Sequence, residues 1–253
     1  MSIYVFGDSF VGPFTLVKDA NLKIYKFKGA TMRGLTKDDN KNRLDILDII
    51  KKQNNKINCM IFNFGQVDLF FSYYYTKFVN KKKFMVDEFI KEYVQFINSI
   101  DCKNCNKIIF GVYPHVVKDE HVFDCLISYG ILTEEIVKSI SDKKKLKLSA
   151  YGFRCELYSL FNILLKKYCD EYNIIYINFE DEILDKDKKV KNEFIDSVSK
   201  YNIHLLWEPL IPIILSKLNT CKINNEYKYD LKQTLNKFIK EKEKENDIQN
   251  RNI

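Results

Sequence analysis

A chain of 253 residues, 46% hydrophobic and 14% aromatic, is long and apolar enough to close one sizeable core, since single cores stop growing near roughly 250–300 residues. Such a composition excludes disorder throughout. The net charge of +7 comes from 41 Lys and Arg against 34 Asp and Glu; the basic residues are scattered among acids rather than gathered in one block, which argues against a nucleic-acid partner.

The first predicted strand is Ile3 to Phe6. Met1-Ser2 leads straight into it without a basic n-region or cleavage-like site, and no apolar run approaches the roughly 20 residues of a membrane span. The expectation is a cytoplasmic chain, neither secreted nor membrane-bound. A second strand follows at Leu22 to Phe27, then a helical stripe Leu44-Leu47-Ile50, a third strand Cys59 to Phe64, and a helix carrying Phe89, Tyr93, Phe96, Ile97 and Ile100. Period-two or continuous apolar runs mark the strands, and three- and four-residue spacing marks the helices.

The fourth strand is Lys107 to Val112. Residues 113–148, with weaker periodicity, read as an insertion or lid above the sheet. Leu157, Leu160, Phe161, Leu164, Leu165 and Tyr168 define the longest helix, Ser149 to Tyr172, which feeds the fifth strand, Ile174 to Asn178. One more helix runs through Ile211 to Leu218. Residues 1–221 therefore make up the expected domain, and 222–253 a polar extension with one docked helix (Leu231, Leu235, Phe238, Ile239) and a frayed end. The seven dispersed cysteines do not form a disulfide framework and suit a reducing compartment. Cys102 and Cys105 have no second pair to complete four ligands, so they read as loop thiols and no metal is expected.

Near-continuous apolar strands alternating with helices imply a parallel sheet covered on both faces, because each parallel crossover needs a helix. The expected fold is a flavodoxin-like three-layer α/β/α sandwich with five mainly parallel strands. Ligands of such folds bind beyond the carboxyl ends of the strands. Gly7-Asp8-Ser9 and Gly65-Gln66-Val67-Asp68 both lie there.

A serine at a strand end is a nucleophile only with a base in reach. Of three histidines, His204 sits in a loop that returns to the sheet before the last helix, whereas His115 and His121 fall in the insertion. Asp8 and Asp68 suit turn-fixing roles. The aromatic run Phe70 to Tyr75 is either core or a substrate wall.

Taken together, Gly7-Asp8-Ser9, Gly29, Gly65-Gln66-Val67-Asp68 and His204-Leu205 resemble the conserved blocks of the GDSL/SGNH hydrolases over about residues 1 to 215. The resemblance implies Ser9 as nucleophile, His204 as base, and an oxyanion hole from the N–H groups of Ser9 and Gly29, with Gln66 beside them. Two positions depart from the pattern. Val67 stands where the family has an oxyanion-donating asparagine, and Tyr201 stands where it has the orienting aspartate, leaving Asn202 and Asp196 nearby. Arg154 to Asn162 resemble a polar helix of members that act on glycans or lack an assigned activity, and Tyr73, His115 and Arg154 are the expected substrate contacts. The implied activity is removal of an acyl group, acetyl foremost, from a carbohydrate or small polar ester, with no cofactor. An O-acyltransferase, or a degenerate binding or scaffold protein, would use the same fold.

Overall fold

The computed structural model describes residues 2–221 apart from 18, 103, 104 and 197; the expected C-terminal docked helix lies outside the described residues. Five strands form one sheet: β1 (Ser2–Gly7), β2 (Leu22–Lys26), β3 (Ile57–Asn63), β4 (Asn106–Phe110) and β5 (Ile175–Ile177). Their order is β2-β1-β3-β4-β5, and every neighbouring pair is parallel. All five fall where the apolar runs predict them.

Both faces of the sheet are covered. Consecutive residues Ile3, Tyr4, Val5 and Phe6 of β1 point to alternating sides, and all are buried, as a doubly covered parallel sheet requires. Among the described residues four helices have at least 13 residues: α1 (Lys41–Gln53), α2 (Val86–Ser99), α3 (Tyr151–Glu171) and α4 (Trp207–Thr220). Asn40 caps α1 by accepting the Arg43 N–H at 3.2 Å, satisfying one of the donors a helix start leaves open. The buried stripe of α1 is Ile46 and Ile50, while Leu44 is 51% exposed, so the expected Leu44-Leu47-Ile50 face is rotated. Helix α2 buries Phe89, Ile90, Tyr93, Val94, Phe96 and Ile97, with Phe89 meeting Phe161 of α3 at 5.7 Å between ring centroids.

The segment after β4 expected to be an insertion or lid, residues 113–148, carries three short helices, Val122–Ser128, Glu134–Lys138 and Asp142–Ser149. Val122, Cys125, Leu126, Leu132, Ile140 and Leu148 join the main core. The Tyr74 hydroxyl donates to the Leu148 carbonyl at 2.6 Å, anchoring the insertion to the segment after β3. At the start of α4 the Trp207 indole lies over Gly12, where a Cβ would come within 2.3 Å of the ring. The first turn and the last described helix are thereby held together.

Candidate active site

Strand β1 lies between β2 and β3, so its carboxyl end is flanked by theirs. The Gly7-Asp8-Ser9 turn meets the end of β3 where the Asp8 N–H donates to the Asn63 carbonyl at 3.3 Å, and meets the end of β2 where the Phe27 N–H donates to the Gly7 carbonyl at 2.8 Å. A Cβ on Gly7 would stand 2.4 Å from the Asn63 carbonyl oxygen, so close approach of two backbones dictates glycine there. Buried Asp8 accepts the Phe10 N–H at 2.9 Å, a local side-chain turn that leaves Ser9 at the rim of the sheet. Burial pushes the Asp8 carboxyl pKa up to about 8.

His204 reaches this turn from the other end of the chain. Its Nε2 lies 2.9 Å from the Ser9 Oγ, within the range a nucleophile and its base require. The ring stacks on Phe10, with centroids 4.3 Å apart and planes 29° apart. Burial, and after it the charge of Lys26, holds the imidazole pKa down at about 4. The ring is therefore neutral at physiological pH, the form that can take a proton.

The support behind His204 differs from a simple triad. Asn202 accepts the His204 backbone N–H at 3.0 Å through Oδ1 and donates to Asp196 Oδ2 at 3.1 Å through Nδ2. Asp196 thus bears on the loop carrying the histidine, through Asn202. Tyr201 lies at the rim, its ring edge-on to His121 at 6.2 Å.

Beyond β2, Gly29 adopts φ +75°, a left-handed conformation that suits glycine, and a Cβ there would meet nothing within 4 Å. The loop it belongs to is pinned from the Gly65-Gln66-Val67-Asp68 turn. Fully buried Asp68 accepts the Met32 N–H at 2.6 Å and the Arg33 N–H at 3.3 Å. Burial raises its carboxyl pKa to about 7 against the opposing pull of those N–H groups. Gly65, at φ +111°, opens the turn that carries Asp68.

Four expected site residues are placed elsewhere. Buried Gln66 pairs with the Tyr113 backbone, its amide nitrogen donating to the carbonyl at 3.2 Å and its oxygen accepting the N–H at 2.7 Å, so this side chain is not turned toward an oxyanion. His115 is only 2% exposed and packs between Phe10 and Phe70, at centroid distances of 6.0 and 4.6 Å; burial first, then the charges of Arg154 and His204, lower its pKa to about 3. It is enclosed by the core and not open to solvent. Arg154 is buried with its guanidinium bound to the Ser149 carbonyl (3.0 Å), the His115 carbonyl (3.1 Å) and Asp119 (2.6 Å), stapling the first turn of α3 to residues 115–119. Tyr73 packs on Tyr74, Phe84 and Phe153.

Three contributors were not singled out by the sequence. The Asn63 amide donates to the Phe10 carbonyl at 3.1 Å, tying the end of β3 to the residue that carries the histidine ring; a polar residue closing an apolar strand was its visible signal. Phe10 itself supplies the stacking face. Third, a cavity of about 390 Å³ opens beside Gly29 and Val67, walled by Thr31, Arg33, Lys37, Tyr75 and Thr76 among others.

No protein-family model and no curated protein matches the chain. Among solved structures it is similar to a Bacteroides fragilis protein described as an acylhydrolase, with 11% identity, 88% of each chain covered and a TM-score of 0.52. It is similar also to a GDSL-like lipase of Bacteroides thetaiotaomicron, at 10% identity over 86% of this chain and 85% of that one, TM-score 0.50. An acetyl xylan esterase matches at 14% identity over 86% and 98%, again with a TM-score of 0.50. At these identities the likeness is one of architecture, and the chain has the fold of the GDSL/SGNH hydrolase superfamily.

Proposed function

We propose that this protein is a serine esterase that removes an acyl group, acetyl foremost, from an oxygen ester of a carbohydrate or similar small polar molecule. The observation that carries this reading is the 2.9 Å approach of His204 Nε2 to Ser9 Oγ at the carboxyl end of the central strand. Acetyl xylan esterase among the structures of like fold supports the choice of acyl group.

In this mechanism neutral His204 takes the proton of Ser9 as Oγ attacks the ester carbonyl. The oxyanion of the tetrahedral intermediate is received by the N–H groups of Ser9 and Gly29. The imidazolium then protonates the departing alcohol, leaving an acyl-serine. Water, deprotonated by His204, cleaves the acyl-serine to the carboxylic acid and restores the serine. Phe10 stacks on the imidazole and Asn202 holds the His204 backbone, and this positioning stands where triads use a carboxylate. Val67 offers no third donor to the oxyanion, and one such donor is worth about a hundredfold to a thousandfold in rate. A slow esterase is therefore expected.

Hydrolysis of p-nitrophenyl acetate and labelling by a fluorophosphonate probe test the reading. The wild type should turn over and label, whereas Ser9→Ala should do neither and His204→Ala should label far more slowly. Equal signals from all three proteins would overturn it.

A further inference from the structure

The cavity beside Gly29 and Val67 is larger than an acetyl group needs. Its volume of about 390 Å³ falls in the range of small-molecule sites, which runs from roughly 300 to 1,000 Å³. Three separate segments wall it: the loop after β2, the segment after β3, and Ile131 of the insertion. Its polar lining consists of Thr31, Ser72, Tyr75, Thr76 and Asn80, hydroxyl and amide groups suited to a polyol, together with two cations, Arg33 and Lys37.

The cations set the character of the cavity. Arg33 Nη1 donates to the Thr76 hydroxyl at 3.0 Å, which fixes the half-buried guanidinium against the wall. Among the described residues, neither Arg33 nor Lys37 has a carboxylate partner within salt-bridge distance, and nearby Asp38 is paired with Arg43 at 2.6 Å. The acid closest in the structure's own wiring is Asp68, buried and bound to the backbone N–H groups of Met32 and Arg33; burial keeps its carboxyl pKa raised, which limits how far it offsets the guanidinium. A second positive residue, Lys26, stands near enough for its field to reach His204. The charged residues lining the cavity, Arg33 and Lys37, are both positive; the exposed carboxylates of Asp38 and Asp39 follow Lys37 in the chain and do not line it.

We infer that the cavity is a subsite for a carboxylate carried by the substrate, with Arg33 gripping the carboxylate and Lys37 adding charge at the rim, so that the preferred ester is an O-acylated acidic sugar. A planar guanidinium presents paired donors that match a carboxylate, and a flexible ammonium adds charge without fixed geometry. The inference relies on the esterase reading for catalysis but not for binding.

Two measurements separate the two. In the first, kcat/KM is compared for an O-acetylated methyl glucuronide and the matching O-acetylated methyl glucoside, which differ only in the C6 carboxylate. The wild type should prefer the uronide by about tenfold or more, as one well-placed charge-assisted contact provides. That ratio should fall toward one in Arg33→Gln, fall part of the way in Lys37→Gln, whose residue is exposed, and shrink as salt rises. Equal rates on the two sugars, or a preference that survives in the double variant, would overturn the inference. The second measurement is binding of glucuronate to Ser9→Ala, which needs no catalysis. Saturable binding that is lost in Ser9→Ala/Lys37→Gln/Arg33→Gln upholds the subsite even if no ester is cleaved. No binding, or tighter binding of glucose 6-phosphate than of glucuronate, refutes the assigned class.

Discussion

Asp68 is the residue through which the turn after β3 shapes the loop of Gly29, and replacing it by alanine tests that linkage. The substitution removes the acceptor of two backbone N–H groups, those of Met32 at 2.6 Å and Arg33 at 3.3 Å. Met32 is fully buried, so its N–H is left unpaired, at a cost of about 1–3 kcal/mol. The Arg33 N–H lies nearer the rim, where water replaces part of what is lost. The sum is about 2–4 kcal/mol, or a fall in Tm of roughly 4–16 °C for a chain of this size. Asp68→Asn keeps one acceptor for Met32 and should lose less. Its behaviour with pH carries the sign. The folded-state pKa of Asp68 is raised to about 7 from an ordinary 3.8, so the stability this group contributes is complete below the ordinary value and is lost as pH rises through about 7. Asp68→Asn has nothing to titrate there, so the gap between wild type and Asp68→Asn should narrow from pH 5 to pH 8. Urea unfolding at the two pH values reads both effects. A wild-type midpoint for Asp68→Ala, or a gap that widens with pH, would refute the reasoning.

Because His204 must be neutral to act, kcat/KM should rise through its pKa of about 4 and stay level to neutral pH; Lys26→Gln, which removes a positive neighbour, should move that limb upward. A limb near the ordinary imidazole value of about 6.5 in the wild type would contradict the burial of the ring. Asn202→Ala removes the bond to the His204 N–H and should lower kcat/KM about two- to tenfold, the equivalent of one hydrogen bond. If Asp196 acts through Asn202, the double variant Asp196→Ala/Asn202→Ala should be no worse than Asn202→Ala, and additive losses would place Asp196 elsewhere. Gly7→Ala forces a Cβ to within 2.4 Å of a backbone carbonyl and should cost about 1–3 kcal/mol or more in urea unfolding; an unchanged midpoint would show that the strand ends can part freely.

The strands were legible because a doubly covered parallel sheet demands unbroken apolar runs, and Ile3 to Phe6 or Cys59 to Phe64 admit few other uses. Helix faces were less so. In α1 a slip of two residues turns the buried stripe from Leu44 to Ile46, and a short, weakly apolar pattern does not fix that rotation. Ser9 and His204 could be read because a glycine-bounded serine at a strand end is a local signal and histidines are few. The displaced residues share one cause. Gln66 and His115 are polar groups just past strand ends and Arg154 stands near the start of α3, and sequence does not say whether such a group faces solvent or is closed off inside. Here Gln66 pairs with the Tyr113 backbone, His115 packs between Phe10 and Phe70, and Arg154 binds two carbonyls. The cavity around Arg33 was invisible for a different reason, since its walls come from three stretches that only the fold brings together.

Ser9 and His204 lie 195 positions apart, yet they are joined only when α4 settles against the first turn. Trp207, three residues past the histidine, sits on Gly12 at that junction, and it is the only tryptophan in the chain. Its fluorescence is therefore an optical gauge of one event, the docking of α4 on the turn after β1. During refolding, the emission change should keep pace with the return of esterase turnover and lag behind the far-ultraviolet signal of the sheet and helices. A single intrinsic chromophore thus timestamps when the catalytic pair comes into being, separately from when the scaffold does.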